Sequence, residues 1–250
     1  MKIKNSFQFS PGRFAIHIET YFFSVLFILF TIHHLIRIYH FRAEIPELLH
    51  QLAEGRIDMY KIYLGSNILL LIILSVFSSI NATLLMIRKR LHQYPEGFSE
   101  IFVPLMATFG NILSNVIPSI PKNINFFLFP EYILIPSICI GNLFAITGLT
   151  ISAIAVMKLK YSFGIFVQVR DIVTKGLYKY VRHPMYLGHI LTNIGFFLIS
   201  PTIGFGLLSS IIIILTVYRA HLEERKLAQY SKEYQEYMKN TPFLFPFRTK

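Results

Sequence analysis

Six apolar stretches constrain the fold of this chain more than any other feature of its sequence. The first, second and fourth contain the roughly 20 residues that a helix needs to cross about 30 Å of hydrocarbon. Only 15% of the residues are charged, whereas soluble domains carry about 25%. The sequence therefore predicts an all-α, polytopic membrane helix bundle of about six transmembrane segments. These segments are His17–Tyr39, Tyr63–Ile87, Ile101–Pro118, Tyr132–Met157, Tyr186–Ser200 and Thr202–Tyr218.

The shorter stretches and the fourth segment carry patterns that indicate how the helices pack. The last two stretches are short and flank Pro201, which predicts a short C-terminal helical hairpin. The third contains Pro104 and a polar stripe (Asn111, Ser114 and Asn115), which indicates a helix inside the bundle. In the fourth, small residues recur along one face, so a neighbouring backbone can approach closely. The small residues are Ser137, Gly141, Ala145, Gly148 and Ser152.

The distribution of Lys and Arg predicts the orientation of the chain in the membrane. Most of the 24 basic residues fall before the first segment, at 88–90, at 158–182 and from Arg219 onward. Cytoplasmic loops carry such an excess, so both termini are expected in the cytoplasm. The membrane would be the plasma membrane in a prokaryote and the endoplasmic reticulum in a eukaryote. The net charge of +11 is explained in this way without a nucleic-acid partner.

Two features argue against metal or disulfide chemistry. Cys139 is the only cysteine, which excludes an intramolecular disulfide and a multi-cysteine zinc site. Adjacent His33 and His34 would point about 100° apart on a helix, which does not suit one shared ion. The sequence therefore predicts no metal site.

Polar residues concentrate in the second half of the chain. We therefore divide it into N-terminal transmembrane helices at 1–157 and a catalytic region at 158–250. A basic, aromatic loop at 158–182 and a charged stretch that begins at Arg219 both adjoin the predicted hairpin on its cytoplasmic side, so we expect them to be neighbours and to form a cytoplasmic pocket. Ionisable residues so near a membrane suggest function, which makes Glu223 and Glu224 candidates.

The chain ends in an aromatic tail, TPFLFPF. Pro242 and Pro246 stop any helix, while Phe243, Phe245 and Phe247 offer rings that suit the headgroup depth of a membrane. Two interpretations stay open: a lid over the site, or an interfacial anchor.

One cluster of residues in this region resembles a known family. It is Gly176-x-Tyr178-x-x-Val181-Arg182-His183-Pro184-x-Tyr186-x-Gly188, followed by Glu223-Glu224 and by Tyr230, Tyr234 and Tyr237. This pattern resembles the isoprenylcysteine carboxyl methyltransferases, and the wider family, including phospholipid N-methyltransferases, shares it. The resemblance covers Leu159 to Pro246. It implies methyl transfer from S-adenosylmethionine at the cytosolic membrane face to a lipidic acceptor that enters sideways between helices.

The resemblance also implies roles for individual residues. Arg219 would orient the acceptor carboxylate, and Glu223 would order the site near the sulfonium. The interval from the Glu pair to the tyrosines is one residue shorter than the family's, and Ser231 replaces a common Gly, so Glu224 remains the alternative acid. The residues implied to bind the cofactor are Gln168, Asp171, Ile172, Val173, Tyr178, Arg182, His183, Pro184, Met185 and Tyr186.

Other functions remain as alternatives to carboxyl O-methylation of a prenylcysteine-like acceptor. One is a phospholipid N-methyltransferase, and another is an NADPH-dependent membrane reductase of the sterol type. Pro184 directly after the His and the later Glu pair favour the methyltransferase over the reductase. Gly204-Phe-Gly206 lies in an apolar hairpin rather than after a strand, so a soluble Rossmann-type enzyme is excluded. The oligomeric state is not predicted.

Overall fold

The computed structural model describes residues 11–55, 59–88, 91–116 and 131–246. Over these ranges the regular secondary structure is helical, with single 3₁₀ turns at Lys160–Ser162 and Gly176–Lys179 and one isolated antiparallel bridge between Gln93 and Val169. This confirms the all-α prediction. The helices are α1 (Pro11–His40), α2 (Ile45–Ala53), α3 (Met59–Ile87), α4 (Phe98–Val116), α5 (Glu131–Leu159), α6 (Pro184–Ile199), α7 (Ile203–Tyr230) and α8 (Lys232–Asn240).

Within the described part of the chain, four helices are long and apolar enough to cross a membrane: Phe14–His40, Lys61–Ile87, Ile133–Ser162 and Ile203–Tyr230. Two shorter apolar helices, Phe98–Leu113 and Pro184–Ile199, complete the bundle. The polytopic membrane architecture is therefore confirmed.

The second arm of the predicted hairpin continues beyond its apolar part. The apolar stretch ends at Tyr218, but α7 continues for three further turns to Tyr230 and has 28 residues. Its charged end stays helical because no residue there breaks a helix and because buried partners satisfy its charges. The break comes at Ser231, whose hydroxyl accepts a hydrogen bond from the backbone of Tyr234 (3.3 Å) and so begins α8.

Helices α5 and α6 pack most extensively in the bundle. Their backbones approach closely at glycines: a Cβ at Gly141 would lie 2.6 Å from the carbonyl oxygen of Gly195. A Cβ at Gly148 would lie 2.5 Å from that of Gly188. Such approaches are possible only without side chains, so the predicted role of the small-residue face of the fourth segment is confirmed.

The helix pairs α1–α3, α3–α5, α4–α7 and α6–α7 complete the bundle. Between α4 and α6, the amide of Asn193 donates to Asn111 Oδ1 at 2.7 Å. Asn111 therefore faces the bundle interior, as predicted, while the side chains of Ser114 and Asn115 lie outside the described residues. This arrangement holds the segment between α5 and α6, residues 160–183, beside the ends of α6 and α7.

Candidate active site

A cavity lies between the segment 160–183 and the helices α7 and α8, and we name it the loop cavity. It holds ≈ 740 Å³ of space between atoms, counted to its open mouth. Glu223 lines it from α7. Thus the structure brings together the basic loop and the acidic end of α7, which the sequence places more than 40 residues apart. Of the implied cofactor residues, those that line the cavity are Gln168, Asp171, Ile172, Val173, Tyr178, Arg182, His183, Met185 and Tyr186.

Pro184 does not line the loop cavity but determines where α6 begins. His183 caps the helix and Pro184 occupies its first turn, where the missing N–H costs no hydrogen bond and the fixed φ suits a helix. This start places Met185 and Tyr186 in the first turn of α6, facing the cavity. The role of Pro184 is therefore to set the register of its neighbours.

The adjacent carboxylates Glu223 and Glu224 face different surroundings. Glu224 is buried and accepts from Arg182 Nε (2.5 Å) and from His183 Nε2 (3.1 Å). Glu223 instead faces the loop cavity, where it accepts hydrogen bonds from the hydroxyl of Tyr186 and from Arg219 Nε (3.4 Å). Successive residues on a helix point about 100° apart, so only Glu223 borders the space that a ligand could occupy.

Arg182 connects the motif to the C-terminal segments. Its Nη1 donates to the carbonyl oxygens of Met238 (2.9 Å) and Thr241 (2.5 Å), while Glu224 accepts from its Nε and Nη2. Most of its N–H groups are therefore used within the protein. Arg182 with Glu224 forms a structural corner of the cavity rather than an open anion site.

The aromatic tail packs on the same motif. The backbone N–H groups of Arg182 and His183 donate to the carbonyls of Pro242 (2.9 Å) and Phe243 (3.2 Å). The Phe243 ring stacks on His221 with centroids 4.5 Å apart and meets the edge of His183. Phe245 is exposed, and Phe247 lies outside the described residues. The tail therefore helps to fix the position of His183.

Four tyrosines line the loop cavity, and three of them, Tyr178, Tyr234 and Tyr237, lie outside the apolar helices. Burial raises the pKa of Tyr178 well above its ordinary value, and nearby Glu223 raises it further. Burial also raises the pKa of Tyr234, and it raises that of Tyr237 to about 12. All three hydroxyls therefore stay protonated near neutral pH, and Tyr237 already donates to the carbonyl of Tyr178 at 2.5 Å.

A second cavity lies deeper between α1, α3, α4, α5, α6 and α7, and we name it the helix cavity. It holds ≈ 850 Å³ of space between atoms, counted to its open mouth. Its walls are mainly apolar, with a few polar groups that include Asn81, His189 and Thr216. Arg219 is buried and lines it at one end. Ligand-binding pockets are usually apolar with few polar groups, as this cavity is.

The two cavities are neighbours, separated by one extended strip of chain. Phe163 and Ile165 line the helix cavity, whereas Gly164 and Phe166 line the loop cavity, and Met185 lines both. Arg219 sits at this boundary: its Nη2 donates to the carbonyl of Gly164 at 3.2 Å. A group bound at Arg219 would therefore lie next to the Glu223 side of the loop cavity.

Sequence reasoning missed several residues of the site. Tyr234 and Tyr237 were noted only as part of the motif, and Arg170 was not singled out, although each lines the loop cavity. Burial, followed by the neighbouring charge of Arg88, lowers the pKa of Arg170 to about 10. Glu19 was missed altogether; it is fully buried and contacts the strip 165–168. An acid inside an apolar helix is itself a signal of function, and it would have found Glu19.

The described residues hold no group of three His, Cys, Asp or Glu side chains that could bind a metal ion.

Comparison with known proteins supports the family resemblance that the motif indicates. The sequence model of the isoprenylcysteine carboxyl methyltransferase (ICMT) family matches residues 126–229. No curated protein matches the chain. The matched range contains the basic loop, α6, and α7 as far as Gln229. It therefore includes both Arg182-His183 and Glu223-Glu224. Over that range this chain is similar to the ICMT family, as its motif indicates.

Proposed function

We propose that this protein transfers a methyl group from S-adenosylmethionine to the carboxylate of a prenylcysteine-like or other lipidic acceptor, at the cytoplasmic face of the membrane. The observation that carries the proposal is the meeting of two different cavities at Arg219, Glu223 and Tyr186. One cavity is polar and opens beside the basic loop. The other is apolar and lies among the membrane helices.

The residues of the loop cavity fit the cofactor. The buried amide oxygen of Gln168 has no hydrogen-bond partner among the described residues, so it can accept from an N–H of a ligand. The hydroxyls of Tyr178 and Tyr234, together with Arg170, supply donors for a carboxylate and ribose, and Glu223 supplies negative charge beside a cation. Phe166 and Val173 offer an apolar wall for adenine. S-adenosylmethionine, when bound, supplies a methyl group on a positively charged sulfur.

The helix cavity suits the acceptor. Its aromatic and aliphatic walls would bury a hydrocarbon tail, which gains about 0.8 kcal/mol per buried CH₂. At its end Arg219 offers a guanidinium, which pairs well with a planar carboxylate. A carboxylate acceptor held there would be beside the loop cavity and would need no general base, because it is already ionised at neutral pH.

The chain's own contribution is then orientation more than acid–base chemistry. Displacement at a methyl group requires the two reactants in line, and holding them so supplies much of the rate. Arg219 is itself held by Gly164, by Glu223 and by the ring of Tyr186, whose centroid lies 5.0 Å from Cζ. We infer that this fixed guanidinium sets the position of the acceptor relative to Glu223.

Cofactor binding by the purified protein in detergent tests the first half of the proposal. We expect saturable binding of S-adenosylhomocysteine in calorimetry and none of NADPH. Binding of NADPH with no binding of S-adenosylhomocysteine would refute the proposal in favour of a reductase.

Acceptor assays test the second half. With labelled S-adenosylmethionine, we expect base-labile methyl ester on a farnesylated cysteine analogue, and no label on phosphatidylethanolamine. Label on the phospholipid amine alone would show that the acceptor class is wrong although the cofactor is right.

A further inference from the structure

Glu19 is a buried carboxylate in α1, in the part of the chain that precedes the residues matched by the family model. Its side chain is fully buried, and Arg88 Nη1 lies 2.8 Å from Oε2. Arg88 is in turn held by the carbonyl of Ile16 at 2.9 Å and by the hydroxyl of Thr20. An ion pair inside a membrane bundle is costly to form, so its contacts deserve a functional explanation.

The other oxygen of Glu19 binds the strip that separates the two cavities. Glu19 Oε1 accepts from the backbone N–H groups of Ile165 and Phe166, the latter at 3.1 Å. Neighbouring residues on this strip, Gly164 and Phe166, line the loop cavity. A single carboxylate from the first helix therefore fixes the wall of a cavity that lies about 145 residues further along the chain.

Glu19 also determines the orientation of the Gln168 amide. Gln168 Nε2 donates to Glu19 Oε1 at 3.3 Å. A carboxylate can only accept hydrogen bonds, so the Gln168 amide must turn its NH₂ group toward Glu19. The amide oxygen is then left as an acceptor, and it is buried with no partner among the described residues of the chain.

We propose that Glu19 is a positioning residue of the cofactor site: it holds the strip 165–168 and orients Gln168 so that its amide oxygen receives an N–H of the S-adenosyl ligand. This rests on the proposed function. The donor is either the exocyclic amine of adenine or the ammonium of the amino-acid part, since both groups present N–H. The ligand's donor would satisfy a buried acceptor that the protein leaves open.

Conservative variants test the proposal by calorimetric binding of S-adenosylhomocysteine. We expect Glu19→Gln to weaken binding about tenfold, the effect of about one hydrogen bond, because an amide at position 19 no longer dictates the orientation of Gln168. Glu19→Asp keeps the charge beside Arg88 and tests only whether the length of the Glu19 side chain matters. It therefore remains informative if Glu19→Gln does not fold. Gln168→Leu should weaken binding to a similar degree, and the double variant should bind no worse than Gln168→Leu alone.

A matched control separates positioning from general destabilisation. Asn142 in α5 is equally buried and donates to Ser66 at 2.8 Å between helices away from the loop cavity. Asn142→Leu should lower thermal stability without changing the affinity for S-adenosylhomocysteine. If its affinity falls as much as that of Glu19→Gln, the effect is structural and the proposal is wrong.

Two ligand analogues identify the donor. Methylthioadenosine keeps the adenine amine but lacks the ammonium, whereas S-inosylhomocysteine keeps the ammonium but has an oxygen in place of the amine. Glu19→Gln should further weaken the binding of only the analogue that retains the donor. Equal affinity of wild type and Glu19→Gln for S-adenosylhomocysteine would overturn the inference while leaving the proposed function intact, whereas a wild type that binds no S-adenosylhomocysteine would overturn both.

Discussion

Replacing Glu223 and Glu224 separately by Gln should show that one acid serves methyl transfer and the other serves the stability of the fold. The two acids are adjacent in sequence, but Glu224 pairs with Arg182 and His183 while Glu223 borders the loop cavity. We expect Glu224→Gln to destabilise the protein with its remaining folded fraction still active. Glu223→Gln should leave the fold intact and abolish methyl transfer.

The magnitude follows from burial. The side chains of Arg182 and Glu224 are 12% and 8% exposed, and removing one partner of such a pair costs roughly 3–5 kcal/mol. At about 2–4 °C per kcal/mol for a chain of this size, the unfolding temperature of Glu224→Gln should fall by roughly 6–20 °C. Glu223 is 22% exposed, and its amide replacement can still accept from Tyr186, so its cost should stay below about 1 kcal/mol.

The single cysteine provides the assay. Cys139 is partly buried in α5, and the chain has no Trp, so a thiol-reactive fluorophore reports unfolding on heating at one known site. Methyl transfer is measured in parallel at a temperature where both variants are folded. A larger fall in unfolding temperature for Glu223→Gln than for Glu224→Gln would refute the assignment, as would a stable Glu224→Gln variant that no longer transfers methyl groups.

Three further substitutions test the bundle and the acceptor side. Gly148→Val should prevent the close packing of α5 on α6, since its Cβ would lie 2.5 Å from the carbonyl oxygen of Gly188. The thiol assay should show a loss of at least about 1–3 kcal/mol in the free energy of unfolding. An unchanged unfolding temperature would contradict this packing. Ala107→Phe should fill part of the helix cavity, which Ala107 lines, and so raise the KM for long-chain acceptors while S-adenosylhomocysteine affinity stays unchanged. Arg219→Ala should raise the acceptor KM by roughly tenfold or more, the effect of a lost charge-assisted hydrogen bond; an effect on cofactor affinity alone would place Arg219 on the wrong side of the site.

The membrane bundle is readable from sequence because its cause is local. A helix in hydrocarbon must satisfy its own backbone hydrogen bonds, so a long apolar stretch determines a spanning helix without reference to its neighbours. The small residues of α5 are equally informative, since their spacing of three and four residues places them on one face. The residue at which α7 ends was not predicted, because hydropathy ends at Tyr218 while the helix is continued to Tyr230 by buried partners of its charged residues.

The candidate site was likewise predicted only in part from the sequence. The motif RHPxYxG marked Arg182, His183 and Tyr186 of the loop cavity, because its chemistry is concentrated in one short segment. Which of Glu223 and Glu224 faces that cavity depends on the rotation of α7, and this is set by packing against α4 and α6. Sequence spacing is the same for either choice, so it could not decide between them.

The sequence by itself determined a bundle of membrane helices, a basic aromatic loop and an acidic helix end. Only the tertiary structure placed the polar loop cavity beside the apolar helix cavity, with Arg219 between them, and only it brought Glu19 from the first helix to the backbone of Ile165 and Phe166. The physical reason is that apolarity and helix formation depend on neighbours in sequence. The direction of a buried charge depends on partners that the fold alone brings near.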